Sequence, residues 1–536
     1  MTHQIVTVDP MVKLFRDSPL PASGHVVHAA RGEVASIQIA LKLEKGSLVE
    51  LVNPVELASG PSRLEGRMNF VGFVPVRYST PDTPREELER GAPGIFPDPI
   101  LEEKRMRPSS GDTCPIWVSI PIPQDAAPGS YRGRARILAD SRTFGCELEL
   151  IVHKARLPEK RRLWLTNWFW VDRLASSARV ELWSEGCWAL IDAVARDLAS
   201  HRQNVILAPL LDLLEFSRDG ERLKIDFQRF DRWVELFDKH GVADIVEGSH
   251  LGVREGGVWE AESFVLKPIT MRRSDGSVAE VIEGARAGSM ACRSFLSEFL
   301  PLFRGHLLER GWLSRYVQHI ADEPTKQNAT SWRTLAEHVR EFAPGIRRID
   351  ANICGELTGA IEIWVPILNH YDEEKLFYAL RQREGDEVWF YTCLHPRALY
   401  PNRFIDFSLL KTRILHWVNF RFGLTGYLHW GYNWWSENPF SDVEPSQPDT
   451  EHLPPGDNAI VYPGRRGVIP SIRWEMLRKG LEDYELLFEL ARSRPELASE
   501  IVTRAVPDLT AYVRRPDEFN ALRLKLIEEL DLIARD

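Results

Sequence analysis

From residue 158 onwards, short apolar runs alternate with amphipathic stretches of helical length, and this alternation restricts the fold of the chain more than any other feature. Such runs indicate buried strands, and their alternation with helices predicts βα units around a parallel sheet. Eight βα units over about 275 residues are the usual size of a (β/α)8 TIM barrel, which we predict for residues 158–470. The predicted strands are 163–168, 204–208, 244–247, 316–321, 349–353, 361–366, 388–393 and 426–431.

Residues 1–157 have a different rhythm, in which short β-prone runs alternate with turn residues. Runs such as 36–41, 116–120 and 146–152 predict an antiparallel β-sandwich domain. Within it, residues 80–108 are rich in proline, glycine and charge and are predicted to form a long loop, which either reaches over a neighbouring surface or is simply solvated.

Residues 471–536 carry amphipathic patterns of helical period. Ser471 precedes the first of them and is suited to cap a helix N-terminus. We therefore expect a C-terminal helical segment packed on the barrel. The predicted fold class is multi-domain α/β, with a β-sandwich, a (β/α)8 barrel and C-terminal helices.

Two adjacent acids, Asp322 and Glu323, follow the fourth predicted barrel strand and precede Pro324. Pro324 favours extended backbone at Glu323 and prevents a helix from starting there, so the acids lie where a strand ends and a loop opens. Neighbouring side chains of a regular strand point to opposite faces, so the acids serve one pocket only if the chain leaves the sheet at this point. The alternative is an ordinary solvated strand end.

In a barrel of this kind the ligand pocket forms at the C-terminal ends of the strands. The residues predicted there are polar and aromatic, and aromatic rings both fill cores and stack on the apolar faces of sugars. His250 also opens an insertion, 251–290, that could fold over the pocket and bring Arg254 and Trp259 near it. The predicted substrate-binding residues are Asn167, Trp168, His250, Trp364, Tyr391, Asn402, Trp430, Tyr432 and Trp434.

Charge and motif content exclude several classes of partner. The net charge of −10, without a long basic tract, argues against nucleic acid. The N-terminus lacks a basic start followed by an apolar run, and no segment approaches about 18 uninterrupted apolar residues, so we expect a cytoplasmic protein without a membrane partner. The six cysteines are dispersed, and His250, His319 and His395 lack metal-ligand spacing, so we expect reduced thiols, no metal and no cofactor. A homo-oligomer is left open.

A glycosidase normally needs a proton donor and a second carboxylate that acts as nucleophile or base. Glu323 suits the donor. In many retaining barrel glycosidases the nucleophile is a glutamate at the end of strand seven, but here that strand ends at residues 391–394 without an acid. Either another carboxylate serves, with Glu437 the nearest in sequence, or a 2-acetamido group of the substrate attacks its own anomeric carbon. In the second case Asp322 would hold the amide N–H.

Several motifs resemble glycoside hydrolase family 123 and the wider group that shares the domain of unknown function 4091. They are HIADEP at 319–324, WFYTC at 389–393, YPNRFID at 400–406, GYLHWGYNWW at 426–435 and SIRWEMLRKGLEDY at 471–484. The resemblance covers most of residues 160–490 and implies a β-sandwich, a (β/α)8 barrel and retaining β-N-acetylgalactosaminidase activity by substrate-assisted catalysis. It assigns Asp322 to orienting the acetamido group and Glu323 to general acid/base catalysis.

The sequence thus predicts a retaining, exo-acting β-N-acetylhexosaminidase, similar to β-N-acetylgalactosaminidases, that acts on an oligosaccharide or glycoconjugate. Tyr391 is the predicted hydrogen-bond donor to the acetamido oxygen, and Asn402 is predicted to bind a sugar hydroxyl. Two alternatives stay open. One is a barrel glycosidase that acts on a sugar without an acetamido group and uses a separate second carboxylate; the other is a non-catalytic carbohydrate-binding protein.

Overall fold

The computed structural model describes residues 4–22, 24–43, 46–140, 142–273, 276–448 and 450–534. The first part of the chain is rich in β-structure, and its eleven strands form one hydrogen-bonded sheet. These strands are β1 (Gln4–Val8), β2 (Val27–Arg31), β3 (Val34–Lys42), β4 (Val49–Val52), β5 (Val55–Ser59), β6 (Ser62–Val76), β7 (Gly94–Ile100), β8 (Arg105–Met106), β9 (Thr113–Pro121), β10 (Gly129–Ala139) and β11 (Arg142–Arg156).

The sheet of this first part encloses its own hydrophobic core. The sheet has two halves, one that contains β3 and β9 and one that contains β5, β10 and β11. Strand β6 belongs to both halves, because its first residues pair with β5 and its residues 67–70 pair with β9. Ile37 and Val118 of one half then share a buried cluster with Ile137 and Leu148 of the other half. The predicted β-rich N-terminal part is confirmed, although β2 and β11 pair in parallel rather than antiparallel.

The segment predicted to be a long loop between residues 80 and 108 contains strand β7, which pairs with β6. Asp98 on β7 forms a buried ion pair with Arg473, at 2.8 Å, and the Thr80 hydroxyl donates to Asp406, also at 2.8 Å. The loop prediction is therefore wrong for β7 and for the short strand β8, which pairs with β4. Parts of the segment lie against the second part of the chain, whereas residues 81–82 and 84–86 are exposed.

Parallel strands dominate the second part of the chain. Strands β12, β25 and β26 form one parallel sheet, and β13, β16, β21, β22, β23 and β24 form another. The strands of this part are β12 (Trp164–Asn167), β13 (Val205–Ala208), β14 (Glu215–Asp219), β15 (Arg222–Asp226), β16 (Ile245–Gly248), β17 (Gly252–Arg254), β18 (Phe264–Leu266), β19 (Ile269–Arg272), β20 (Val278–Ile282), β21 (Tyr316–His319), β22 (Arg347–Asn352), β23 (Ile363–Pro366), β24 (Glu387–Val388), β25 (Phe390–Tyr391), β26 (Gly426–His429), β27 (Val461–Gly464) and β28 (Gly467–Pro470).

All eight predicted barrel strands are present and parallel, the seventh being split into β24 and β25. Among the described residues, however, no backbone ladder joins β12 to β13. Two amide side chains bridge this seam instead: Asn204 accepts from the N–H of Leu165, and Gln203 accepts from the N–H of Asn167. The strand order predicted for a barrel is confirmed, whereas one continuous hydrogen-bonded ring is not.

The helices lie between the parallel strands and at the C-terminus. The Ser471 side chain accepts a hydrogen bond from the N–H of Trp474, which confirms the predicted helix cap. The helices are α1 (Val171–Ala178), α2 (Glu185–Ser200), α3 (Leu210–Leu213), α4 (Gln228–Lys239), α5 (Met290–Glu309), α6 (Ala329–Phe342), α7 (Leu368–Glu373), α8 (Lys375–Arg383), α9 (Leu409–Arg413), α10 (Leu415–Phe422), α11 (Ile472–Ser493), α12 (Pro495–Ala505) and α13 (Pro516–Ile533).

Helix α11 is buried along most of its length although it carries many charged residues. Its Asp483 pairs with Arg413 of α9 and with Arg523 of α13, at 2.8 and 2.6 Å. Its Lys479 pairs with Glu33, which lies between β2 and β3, at 3.1 Å. Buried charges are tolerated when they are paired in this way. Through these ion pairs, α11 connects the β-rich part to the helices around the parallel strands.

Two further observations bear on the sequence predictions. All six cysteines are buried free thiols, and burial raises the pKa of Cys114 to about 12. In the portion of the chain that the structure covers, no helix has the length and apolar character that crossing a membrane requires.

Candidate active site

Asp322 and Glu323 follow strand β21 closely, and the backbone turns away from the sheet at this point. Glu323 has a φ of 45°, in the left-handed region that non-glycine residues rarely adopt. The extended geometry predicted for Glu323 is therefore wrong. The turn interrupts the strand alternation, so both carboxylates line one pocket. The guanidinium of Arg254 donates to the Glu323 carbonyl at 2.7 Å and supports this conformation.

The pocket has a volume of ≈ 280 Å³ and lies at the carboxyl ends of the parallel strands. Five of the residues that line it are aromatic. Among the described residues, Asp322 and Glu323 are the only carboxylates that line it. The lining residues are Trp168, Trp170, Asp322, Glu323, Ala351, Tyr391, Cys393, Leu394, Leu428, Trp430, Trp434 and Gln447.

The Glu323 carboxyl group has the electrostatics of a general acid. Burial raises its pKa, and the negative charge of Asp322 raises it further. The hydroxyl of Tyr391 donates to Glu323, and the positive charge of Arg254 lies nearby; both contacts lower the pKa in part. The net effect is a pKa of about 7. Glu323 is thus poised between its protonated and ionised forms near neutral pH, as a general acid/base requires.

Asp322 differs from Glu323 in its surroundings. Its side chain is 50% exposed, and its Oδ1 lies 3.8 Å from Nε2 of His250. Asp322 also lines a second, wider groove of ≈ 580 Å³ beside the aromatic pocket. Strands β17 and β18 of the insertion form one wall of this groove. The carboxylate therefore stands at the border of two adjoining spaces.

The insertion lies near the acids, as the sequence predicted. Arg254 contacts the Glu323 backbone, and its guanidinium stacks on the ring of Trp259 at 4.0 Å. Trp259 itself is 42% exposed. The insertion thus brings Arg254 to the acid pair and forms a wall of the adjoining groove rather than a cover over the aromatic pocket.

The structure brings four predicted binding residues into the pocket: Trp168, Tyr391, Trp430 and Trp434. The rings of Trp430 and Trp434 stand edge to face, with centroids 5.6 Å apart. The guanidinium carbon of Arg173 lies 4.5 Å from the centroid of the Trp434 ring, and this stacking holds the ring in place. His250 lines the adjoining groove. That these residues bind the substrate stays a prediction.

Two predicted binding residues are buried in the structure away from the pocket. Trp364 is fully buried, donates its indole N–H to Asp386 at 2.9 Å and packs edge-on against Phe377. Tyr432 is also fully buried and donates its hydroxyl to Asp197 at 2.7 Å. Both predictions need correction, because these side chains point into the layer between strands and helices.

The two predicted amide ligands are also occupied within the protein. Asn167 accepts from Arg403 at 2.6 Å and donates to Gln203 at 3.1 Å. Asn402 donates to the carbonyls of Cys393 and Pro396, at 3.0 and 2.9 Å. Both asparagine side chains are fully buried. We therefore correct the assignment of Asn402 to a sugar hydroxyl and of Asn167 to the substrate site.

Trp170, Gln447 and Asp457 are among the residues of the site that sequence reasoning missed. Trp170 lines the pocket and donates its indole N–H to the carbonyl of Trp430 at 2.8 Å. Gln447 reaches the pocket from the loop after β26. Asp457, fully buried, accepts from the indole of Trp430 at 3.2 Å, and burial raises its pKa to about 7. Trp170 could have been found from its place just after the first strand, whereas Gln447 and Asp457 carry no local signal.

Comparison with known proteins agrees with this architecture. The model of the glycoside hydrolase 123 catalytic domain matches residues 168–490, and that of the glycoside hydrolase 123 N-terminal domain matches residues 25–139. A family 123 glycoside hydrolase from Clostridium perfringens, studied for glycolipid glycan hydrolysis, has a similar fold, with a TM-score of 0.76. The two sequences are 16% identical, and the comparison covers 100% of this chain and 97% of that one.

Other solved structures give much lower TM-scores. A GH10 xylanase with a bacterial Ig-like domain, from termite gut, gives a TM-score of 0.33 at 9% identity and covers 86% of this chain and 99% of its own. No curated protein matches the chain. The two family models together span more than half of the sequence, with the catalytic one over the pocket and both acids. The chain therefore belongs to glycoside hydrolase family 123 and is a glycoside hydrolase.

Proposed function

We propose that the protein is a retaining, exo-acting β-N-acetylhexosaminidase that uses the 2-acetamido group of its substrate as the nucleophile. One observation carries this proposal: the pocket is lined by an adjacent acid pair and, among the described residues, by no other carboxylate. A retaining enzyme that supplies its own nucleophile needs a second carboxyl group, which lies about 5–5.5 Å from the acid on the other side of the bond that breaks. Glu437, the alternative second carboxylate, is exposed and does not line the pocket.

The proposed reaction starts with Glu323 protonated. Glu323 donates its proton to the glycosidic oxygen while the acetamido carbonyl oxygen bonds to the anomeric carbon, so the aglycone leaves and an oxazolinium ring forms. Asp322 accepts a hydrogen bond from the amide N–H and stabilises the positive charge that grows there. A water molecule then attacks the anomeric carbon and gives its proton to Glu323, while the bond from that carbon to the acetamido oxygen breaks and the acetamido group is restored. The sugar leaves with its original anomeric configuration.

The size of the pocket supports exo action. A volume of ≈ 280 Å³ is near the lower end of small-molecule sites, about 300 Å³, and suits one sugar residue. The adjoining groove begins at Asp322 and offers space for the aglycone. In this arrangement Trp168, Trp430 and Trp434 surround the terminal sugar.

The role predicted for Tyr391 at the acetamido oxygen stays a proposal. In the structure the Tyr391 hydroxyl donates to Glu323, and this contact lowers the pKa of Glu323. The hydroxyl would have to exchange one partner for the other, or serve both, when a substrate binds. Its contact with Glu323 leads to a separate expectation about pH.

We expect Tyr391→Phe to move the basic limb of the kcat/KM profile to higher pH. Activity needs protonated Glu323, so kcat/KM of the wild type should fall by about tenfold per pH unit above its pKa, which is about 7. Removing the hydroxyl removes a contact that favours the ionised form, so the pKa of Glu323 should rise. The measurement is kcat/KM between pH 5 and 9; a limb that stays in place or moves to lower pH would contradict the assignment.

We expect Trp434→Ala to raise KM with a smaller effect on kcat. Loss of an aromatic stacking surface costs about 1 kcal/mol, which corresponds to roughly a fivefold change in affinity. Trp434→Phe keeps a ring over the pocket and should retain most of the binding, so it is the matched control. Equal losses in both variants would indicate that Trp434 serves folding rather than substrate binding.

The proposed activity is tested with p-nitrophenyl β-glycosides of four sugars: galactose, glucose and their 2-acetamido derivatives. Turnover confined to the two acetamido sugars supports the proposal, and the ratio of the two rates identifies the preferred sugar. Turnover of the plain glycosides at comparable rates would contradict it and favour a glycosidase with a separate carboxylate. Absence of turnover on all four would favour an unusual sugar or the carbohydrate-binding alternative.

A further inference from the structure

A chain of ionisable groups runs from the buried interior of the parallel strands to Asp322, and the proposed reaction does not use it. Nε2 of His319 lies 3.4 Å from Glu247, and its Nδ1 lies 2.8 Å from Oδ1 of Asp350. The same Asp350 oxygen lies 3.1 Å from Nε2 of His250, which lies 3.8 Å from Asp322. The side chains of Glu247, His319 and Asp350 are 0% exposed.

The inner end of this chain has a fixed charge distribution. Burial alone would lower the pKa of His319, but its hydrogen bonds to Asp350 and Glu247 outweigh burial and raise the pKa to about 9. His319 is therefore a cation at neutral pH, held between two carboxylates. Oδ2 of Asp350 accepts from the two backbone N–H groups that follow His319, both at 3.0 Å, and from the Trp332 indole at 2.7 Å. The Asp350 carboxylate cannot rotate without losing these bonds.

The outer end of the chain is His250. Its Nε2 is buried and lacks a well-aligned hydrogen-bond partner, although it faces both Asp350 and Asp322. The ring stands edge-on to Trp168, with centroids 5.5 Å apart, and Trp168 lines the aromatic pocket. Burial works against ionisation of Asp350, but the imidazoles of His250 and His319 keep the pKa of Asp350 below its usual value. A buried polar atom without a partner is costly, so its position between two carboxylates indicates a use.

We propose that Asp350 is a positioning residue for the reaction and acts on Asp322 through His250. Asp350 holds a proton on Nε2 of His250, and this N–H donates to Asp322 when the substrate amide draws that carboxylate into the pocket. A hydrogen bond of this kind holds one oxygen of Asp322 in place and leaves its second oxygen to accept the amide N–H. The inference rests on the proposed function, which assigns the amide to Asp322.

The same residues also have the proximity of metal ligands, since one ligand atom from each of His250, His319 and Asp350 lies within 4.8 Å of the others. Two distances favour the hydrogen-bonded chain. His319 Nδ1 and Asp350 Oδ1 are 2.8 Å apart, whereas two atoms bound to one tetrahedral zinc at about 2.0–2.1 Å stand roughly 3.3 Å apart. His319 also contacts Glu247 through its other nitrogen, at 3.4 Å.

The test measures kcat and KM of Asp350→Asn on an aryl 2-acetamido glycoside. The asparagine amide donates where the carboxylate accepted, so His250 loses its orientation and Asp322 its partner. We expect kcat to fall by about 10²-fold, as for a misplaced catalytic group, with little change in KM. In an Asp322→Asn background, Asp350→Asn should have little further effect on kcat, because the proposed chain of ionisable groups acts only through Asp322.

Two further variants keep the inference testable if Asp350→Asn folds poorly. His250→Gln lies at the pocket edge and should show the same loss in kcat and the same coupling to Asp322→Asn. Asp192→Asn is the control, since it removes a carboxylate that lies 2.8 Å from a histidine, His240, on the outer helices. Its kcat should match that of the wild type.

Three results would overturn the inference: additive losses in the double variants, wild-type kcat in folded His250→Gln, or stoichiometric zinc that copurifies with the wild type and is lost in His250→Gln. Failure of the proposed function is recognised separately, as turnover of plain glycosides only, and it would remove the inference together with the amide contact. Histidine NMR gives a readout independent of turnover. Downfield imidazole N–H signals of His319 should persist at about pH 8 in the wild type and disappear in Asp350→Asn.

Discussion

Glu323→Gln is expected to lower kcat by about 10²- to 10⁴-fold, the usual contribution of general acid/base catalysis. Glutamine has nearly the same shape and can still accept from Tyr391, so the pocket and KM should change little. The amide cannot protonate the glycosidic oxygen. The basic limb near pH 7, which arises from the raised pKa of Glu323, should disappear with the residual activity.

Comparing substrates with different leaving groups distinguishes loss of the catalytic acid from a general loss of structure. A p-nitrophenolate leaves without much protonation, so Glu323→Gln should retain more activity on the aryl glycoside than on a substrate whose leaving group is a sugar. Glu437→Gln is the control, because this exposed glutamate does not line the pocket and should keep wild-type kcat. Equal losses on both substrates would argue against Glu323 as the acid, and a large loss in Glu437→Gln would identify it as the second carboxylate.

Asp322→Asn is expected to lower kcat on acetamido substrates by about 10²- to 10³-fold, the effect of removing one group that stabilises developing charge. The carboxylate accepts the amide N–H and balances the positive charge of the oxazolinium ring, whereas a neutral amide does neither fully. Because Asp322 is 50% exposed at the border of two spaces, the change should not unfold the protein. The thermal midpoint of unfolding should stay close to that of the wild type.

The effect of Asp322→Asn should depend on the substrate. Any residual turnover of a glycoside without the acetamido group does not use the amide contact and should be affected less. A variant that remains fully active on acetamido sugars would remove Asp322 from the mechanism. One further outcome is informative: removal of the negative charge should lower the pKa of Glu323, since Asp322 raises it, and so move the basic limb to lower pH.

Much of the fold could be predicted because it depends on local periodicity. The eight strand runs and the helical stretches between them are periodic within short windows, and all eight strands are present. Ser471 caps helix α11 as its residue type predicts. The seam between β12 and β13 could not be predicted, because the amides of Gln203 and Asn204 replace a backbone ladder there, and amide side chains do not indicate by themselves which backbone they will contact.

The site shows where reasoning from strand ends is insufficient. Side chains alternate along a strand, so Trp364 points away from the interior that its neighbours Ile363 and Val365 fill. The apolar residues on both sides of Trp364 could therefore have predicted that its side chain points the other way. After β26 the chain leaves strand geometry, and there Trp430 and Trp434 reach the pocket while Tyr432 does not.

Other parts of the site depend on contacts between distant residues. The left-handed conformation of Glu323 conflicts with the preference that Pro324 imposes and is supported by Arg254 from the insertion. Asp350 meets His250 across 100 positions of sequence only because their strands lie near each other in the sheet. Such contacts are fixed by the fold, and no local pattern marks them.

The central claim, attack by the acetamido oxygen, is tested most directly with aryl 2-acetamido-2-deoxy-β-glycosides whose acetyl methyl carries zero, one, two or three fluorines. Fluorine withdraws electrons from the carbonyl oxygen and weakens it as a nucleophile without changing the leaving group. We expect kcat to fall with each added fluorine in the wild type. A kcat that stays constant across the series would contradict the claim and indicate that a protein carboxylate attacks the anomeric carbon.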